Sequence, residues 1–369
     1  MDDLGAQERA VLEMISANPF AGQQEIADSL GLARSTVAAH VVQLMQKGYI
    51  LGRGYVLPAQ KRIAVIGGAV FDRKYHARAP LIPGTSNPVT GHRSFGGVAR
   101  NVAENLARLD IATSFVSIVG DDDTGRALIR SLRDLGVDVS QVIVTGEAPT
   151  AEYAAILGPE NELALGIADM GIFDLFSPAH LDRVWPHLAS AAYVFADCNL
   201  PAETLKALIE RKASARFRLA IDAVSSPKAR RLPEDLTGVD ILFLNLDEAR
   251  AMLDLREDDP RLSPEAAVDA LRARGAAGVV LTMGAAGLLV SDPDGTARVE
   301  AVPAQPVDVT GAGDAMIAGT LSRLLSGASL MEGARTGSLL ATLTAESEAS
   351  VHPLLSPRFL AAHMHRIPV

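Results

Sequence analysis

The chain has 369 residues, 48% hydrophobic and 4% aromatic, with a formal net charge of -10. That length holds one large α/β domain plus a small module, and the acidic balance excludes a globally basic nucleic-acid surface, so any DNA contact must be local. The single cysteine, Cys198, excludes an internal disulfide framework and a cysteine-rich zinc site, which fits a reducing compartment.

The sequence opens without a basic leader and apolar core. Its longest nearly apolar run, Ala276 to Val290, is short of a membrane span and interrupted by glycines, so a cytoplasmic protein with no membrane partner is expected. In chain order, Val11, Leu12, Met14 and Ile15 recur at helical spacing between Glu8 and Ala17, and a second short helix is predicted over Gln23 to Leu30. Gly31 makes a turn. A third helix starts at Arg34 or Ser35 and runs through Lys47, with Val37, Val41, Leu44 and Met45 on its buried side. Gly48 to Leu57 is expected as a hairpin around Gly52 and Gly54. Pro58 to Lys61 reads as a short connection, so an N-terminal domain of residues 1–58 and a linker of 59–61 precede a main domain of 62–369.

Three helices plus a hairpin, with the stretch from Gln24 through Gly31 to Val37, resemble a winged helix-turn-helix. The resemblance implies a third helix in the major groove, with Arg34, Ser35, Thr36, His40 and Gln43 towards base edges and Lys47 and Arg53 towards phosphates. Residues 1 to 60 hold only four basic side chains against six acidic ones, a poor electrostatic basis for DNA affinity. A packing or dimerisation module that has lost DNA binding is the alternative.

From Arg62 the texture becomes strand and helix alternation. Ile63 to Ile66 is a continuous apolar run ending in Gly67 and Gly68, as a buried central strand requires. Further buried strands are predicted over Thr113 to Val119, Ala192 to Ala196, Leu219 to Asp222, Ile241 to Leu244 and Gly278 to Thr282. Helices such as Asn101 to Leu109 and Gly125 to Leu135 lie between them. The expected fold is α/β, a mainly parallel sheet with helices on both faces. Asn87 to Phe95 and Ala151 to Ile167 break the alternation and read as hairpin strands. They make either a small lid sheet, with segments near 85–96 and 150–168, or an extra edge sheet with no moving part.

Chemistry concentrates at Asp308-Val309-Thr310-Gly311-Ala312-Gly313-Asp314, ahead of the apolar helix Ala315 to Leu325. A glycine turn at a helix N-terminus aims backbone N–H groups and positive potential at one point, which suits a phosphate. Asp314 in the first turn can take a proton from an attacking hydroxyl. On residue type alone, a tight turn with Asp314 as helix cap explains the same pattern.

The stretch resembles the second signature of the ribokinase-like carbohydrate and nucleoside kinases, and the resemblance runs in order over residues 62 to 365. Gly96-Gly97-Val98-Ala99-Arg100-Asn101 is similar to the first signature, which implies that Gly96, Gly97 and Asn101 meet the substrate. Gly120 to Gly125 resembles a structural turn of the family. Asp72 stands where the family places an aspartate that binds two adjacent hydroxyls; Asn245 and Glu248 match its Asn-x-x-Glu element, which implies Glu248 on magnesium through water. Thr282 and Gly284, with Asn245, Thr310, Gly311 and Gly313, fall on the ATP side. The family's monovalent cation, potassium, implies ligands at Asp308 and Thr310 beside a loop at Ala345 to His352.

Within the family, Thr85-Ser86-Asn87-Pro88, the first signature and Gly166 to Met170 look most like the pseudouridine kinases. This implies ATP-dependent phosphorylation of the 5′-hydroxyl of pseudouridine with Asp314 as base, Gly311, Ala312 and Gly313 as the anion hole, and Ser86 or Asn87 on the base edge. Arg100 either reaches a phosphate or pairs with an acid on its own helix. Inosine, cytidine and ribose are the alternative acceptors. A nucleoside-responsive transcriptional regulator is the alternative class, and a homodimer is expected in either case.

Overall fold

The computed structural model describes residues 4–19, 21–51, 61–160, 162–255, 259 and 263–368. The hairpin expected around Gly52 and Gly54, with Arg53, and nearly all of the 58–61 connection lie outside these residues, as does Asn161.

The N-terminal helices α1 (Ala6–Ala17), α2 (Gln23–Leu30) and α3 (Arg34–Gln46) close around Val11, Ile15, Ile26, Val37 and Leu44, all fully buried. Gly31 ends α2 in the left-handed region at φ 64°, the turn that a glycine permits at least cost. Lys47 pairs with Glu8 of α1 at 2.8 Å, a contact within the module. The Arg216 guanidinium of the main domain lies 3.5 Å from the centre of the Tyr49 ring and donates to the Lys47 carbonyl at 3.2 Å.

The main domain runs β1 (Ile63–Ile66), β2 (Val70–Ala77), β3 (Val89–Gly96), α4 (Val98–Arg108), β4 (Thr113–Val116), β5 (Ile118–Gly120), α5 (Asp123–Asp134), β6 (Ile143–Thr145), β7 (Glu152–Leu157) and β8 (Leu163–Asp169). It continues through α6 (Pro178–Ala189), β9 (Tyr193–Asp197), α7 (Ala202–Lys212), β10 (Arg218–Asp222), α8 (Ser226–Ala229), β11 (Ile241–Asn245), α9 (Leu246–Met252), α10 (Pro264–Ala273) and β12 (Val279–Thr282). The hairpin β13 (Leu288–Asp292) and β14 (Gly295–Val299), then α11 (Ala312–Leu325), α12 (Leu330–Ala345) and α13 (Pro357–His363), complete it.

The main sheet has the order β14-β13-β12-β11-β10-β9-β1-β4, parallel from β12 to β4 and closed at the other edge by the antiparallel β13–β14 pair. Ile63 and Val65 point into one core and Ala64 and Ile66 into the other. This two-sided burial is why the strand reads as an unbroken apolar run. The helix α11 packs on α12 so closely that a Cβ on Gly319 would stand 2.9 Å from the Gly337 Cα.

A second sheet, β3-β2-β7-β8, stands off the first. Its interior strand β2, which is not among the predicted elements, carries Asp72 a few residues past β1. Phe71-Asp72-Arg73-Lys74-Tyr75-His76 has no apolar alternation; backbone ladders to β3 on one side and β7 on the other hold the strand. The β13–β14 hairpin is likewise an addition to the predicted elements.

Candidate active site

Strand order reverses at β1, leaving a crevice at the C-terminal ends of β1 and β9, where ligands bind in open α/β sheets. Asp197 closes β9 and is wholly buried. Its carboxylate accepts the backbone N–H groups of Gly68 at 3.0 Å, Ala99 at 2.9 Å and Asn199 at 2.9 Å. One acid thereby ties the loop after β1 to the first turn of α4. Burial raises its pKa against the pull of these donors.

Gly311 begins α11 with φ 80°, and a side chain there would collide with the Ser350 carbonyl. The loop near residue 350 thus touches the turn as expected. Gly313 has open space where a Cβ would project, and Asp314 follows in the first helical turn. Asn101 Nδ2 donates to Asp314 Oδ2 at 2.8 Å, and Asn101 Oδ1 accepts from Arg100 at 3.0 Å. Burial pushes the Asp314 carboxyl up to about 7; the Asn101 hydrogen bond opposes this and the Asp197 and Asp72 charges add to it.

Asp72 lies across the crevice, and burial lifts its carboxyl to about 6 against the charges of Lys74 and Arg100. A side chain on Gly96 would collide with the Asp72 carboxylate, and one on Gly97, at φ 94°, would come within 2.6 Å of the Gly68 carbonyl. Those two glycines therefore make room for the acid and the close backbone turn. Arg100 is buried and pairs with Glu104 one turn along its own helix. Asp122 caps α5 by accepting from the Gly125 N–H at 2.7 Å, and also from Thr150, so the Gly120 to Gly125 turn is a structural joint.

On the other side, Asn245 at the end of β11 is in register with Thr282 of β12. Asn245 Oδ1 accepts from the N–H groups of Asp247 at 3.0 Å and Glu248 at 2.9 Å, while Glu248 Oε2 accepts the Asn245 N–H at 2.8 Å. This reciprocal capping box builds the start of α9. Burial raises the Glu248 carboxyl. Asp222, which closes β10, is raised well above the usual carboxylate range by burial and by the charges of Glu248, Asp314 and Asp197. Gly284 sits at φ 57° with open space where a Cβ would project.

Among the described residues no three His, Cys, Asp or Glu side chains form a direct metal cage. The mutual repulsion around Asp222 and Glu248 fits a magnesium ion that keeps much of its water. Potassium is a different matter. The Lys74 ammonium lies 2.6 Å from Asp308 Oδ2 and 3.4 Å from Thr310 Oγ1, so these two side chains already hold a cation and do not fit a metal ion in addition.

Ser86 is exposed, and the Asn87 side chain is engaged locally. Asn87 accepts from the Ile82 N–H at 2.8 Å and donates to the carbonyls of Ile82 and Thr85, closing its own exposed loop. Asn101, expected on sugar hydroxyls, has its amide engaged with Asp314 and Arg100. The sequence reading missed Asp197, Asp222 and Lys74. The first two share one signal, an acid closing an apolar strand. In the N-terminal module, Arg34, Ser35 and Gln43 are exposed on α3 and Thr36 is partly so. His40 faces Gln43 at 3.2 Å and Gln7 at 3.4 Å.

The profile of the pfkB family carbohydrate kinases matches residues 60–356, and that of winged helix-turn-helix DNA-binding regions matches residues 6–50. An uncharacterised sugar kinase of Escherichia coli is 32% identical over 95% of this chain and 96% of its own. A pseudouridine kinase of the same organism is 28% identical over 80% of this chain and 93% of its own. The solved structure of a carbohydrate kinase from Agrobacterium tumefaciens superposes with a TM-score of 0.74 at 32% identity, covering 84% of this chain and 98% of that one.

Proposed function

Because the chain belongs to the pfkB family of carbohydrate kinases and carries an N-terminal winged helix-turn-helix, we propose that it phosphorylates the 5′-hydroxyl of a nucleoside, pseudouridine first. The reaction class is ATP-dependent phosphoryl transfer to a sugar or nucleoside. The observation that carries the residue assignment is Asp314, at the N-terminus of α11, held by Asn101 at 2.8 Å with its carboxyl at about 7. A base poised near neutrality takes the hydroxyl proton as the terminal phosphoryl group is attacked.

The Gly311 and Gly313 amides stand at the start of the α11 dipole and would meet the charge that builds up during transfer, while the Ala312 N–H donates to the Val309 carbonyl at 3.2 Å and closes the turn that holds them. Asp72 accepts from the acceptor's hydroxyls. Its place on β2 lets the second sheet act as a lid that covers the acceptor and excludes water. Asn101 sets the orientation of Asp314. Magnesium, when bound with ATP, neutralises phosphate charge; Asp222 and Glu248 would hold its water ligands, and Thr282, Gly284 and Asn245 border the nucleotide.

Pseudouridine is favoured by the 28% identity to a pseudouridine kinase and by the Thr85 to Pro88 and Gly166 to Met170 stretches. Asn87 then reaches the base edge only by leaving its own loop. ATP consumption by the purified chain with pseudouridine, uridine, inosine, cytidine, adenosine and ribose tests this. Turnover highest on pseudouridine is expected; ribose alone, or no nucleoside at all, rejects it.

A second reading adds to the first. Arg34 and Ser35 are exposed at the start of α3, which supports local DNA reading by a kinase that is also a regulator, with the division at residues 59–61. Leu165 and Ile167 are 52% and 53% exposed on one face of the edge strand β8, and Leu163, past the register shift in that strand, is 58% exposed. They support a homodimer formed through the lid.

A further inference from the structure

Asp72 and Lys74 are two residues apart on β2 and so share one face of the lid sheet. Asp72 turns into the crevice over Gly96. Lys74 crosses to the turn ahead of α11, where its ammonium meets Asp308 at 2.6 Å and Thr310 Oγ1 at 3.4 Å. The other Asp308 oxygen accepts the Thr310 N–H at 2.8 Å, and the Asp308 N–H donates to the Ala345 carbonyl. The carboxylate thus bridges a lid side chain to the backbone that leads into Gly311 and Asp314. Lys74 and Asp308 are 32% and 29% exposed, sheltered enough for the pair to be held but open to the mouth of the crevice.

Charge makes the contact more than a clip. Asp308 is a fixed negative charge beside the amides that are to receive phosphate, and without a partner it would repel the nucleotide. Burial by itself would raise its carboxyl; the hydrogen bonds from Lys74 and Thr310 outweigh burial and hold it below the usual range. A bound potassium ion would meet the same need with the same oxygens, and the lysine brings its charge covalently.

We propose that Lys74 is a built-in cation, a positioning residue that neutralises Asp308 and orders the turn before Asp314, making nucleotide binding and transfer independent of added monovalent metal ions. The proposal rests on the kinase reading above. It also couples the two halves of the site, since the strand that presents Asp72 to the acceptor is the strand that steadies the phosphate turn.

The full chain, wild type and Lys74→Ala, Lys74→Met and Lys74→Arg, is compared in potassium chloride and tetramethylammonium chloride at equal ionic strength. ATP and ADP affinity is measured by calorimetry without acceptor, and kcat and KM with the best acceptor from the screen. Wild type is expected to change less than about twofold between the salts. Lys74→Ala and Lys74→Met should lose on the order of tenfold in nucleotide affinity or kcat in tetramethylammonium. Lys74→Ala should recover most of the loss in potassium or ethylammonium, and Lys74→Arg should stay close to wild type.

Wild type that needs potassium by tenfold or more overturns the proposal, as does Lys74→Ala matching wild type in every salt. The wild-type arm decides even where a variant fails to fold. Absence of turnover on every acceptor would strike the substrate assignment, while the calorimetry still decides the role of Lys74.

Discussion

Asp314 gains its character from what surrounds it. The Asn101 amide favours the ionised form, and burial with the Asp197 and Asp72 charges disfavours it more strongly, leaving the carboxyl at about 7. Because the base must be ionised, kcat/KM should fall as pH drops through about 7, where an exposed aspartate would titrate near 4. A profile flat down to pH 5 would reject the assignment. The folded-state value lies above the unfolded one, so ionisation costs stability: nothing below about pH 4, then increasingly as pH rises through 7. Asp314→Asn should therefore cut kcat by about a thousandfold, keep nucleotide affinity, and melt at pH 8 no lower than wild type. Near-normal turnover in that variant would exclude Asp314 as base. At this scale the sequence was legible where residues form a local pattern, as from Asp308 to Asp314. It was silent on Lys74, whose partner Asp308 is 234 residues away. Asp197 and Asp222 looked like ordinary strand ends because nothing nearby in sequence records the charges that meet them in space.

The parallel strands announced themselves because both faces are buried, and the helices because caps and periodicity agree. The strand β2 did not, because its residues are polar and its stability comes from ladders to β3 and β7. Asp72 was therefore legible as a candidate residue but not as part of a strand inside the lid. Asp197 shows how one acid joins elements that the sequence treats separately. Asp197→Asn keeps the shape but turns an N–H2 group towards backbone donors, leaving at least one without an acceptor. Stability should fall by about 1–3 kcal/mol, measured by urea unfolding, with faster amide exchange at Gly68 and Ala99. Unchanged exchange at those two amides would remove Asp197 as the tie between β1 and α4.

Composition and texture divided the chain near residue 60 but carried no trace of how the two parts touch, through Arg216 on Tyr49. The lid edge gives a test at this scale. Leu165→Lys with Ile167→Lys should turn a dimer into a monomer by light scattering and weaken binding to a two-fold DNA site by more than about tenfold. Turnover should remain within a few-fold, since both side chains project from the face opposite Lys74. A wild-type monomer would sink the dimer. The glycine contact between α11 and α12 has a bearing on motion. Two backbones in contact at Gly319 and Gly337 cannot slide or roll past each other without opening a void, so Asp314 rides on a fixed frame. On the proposed function, displacement during a catalytic cycle would then fall to the lid, and the acceptor would be carried to a stationary Asp314.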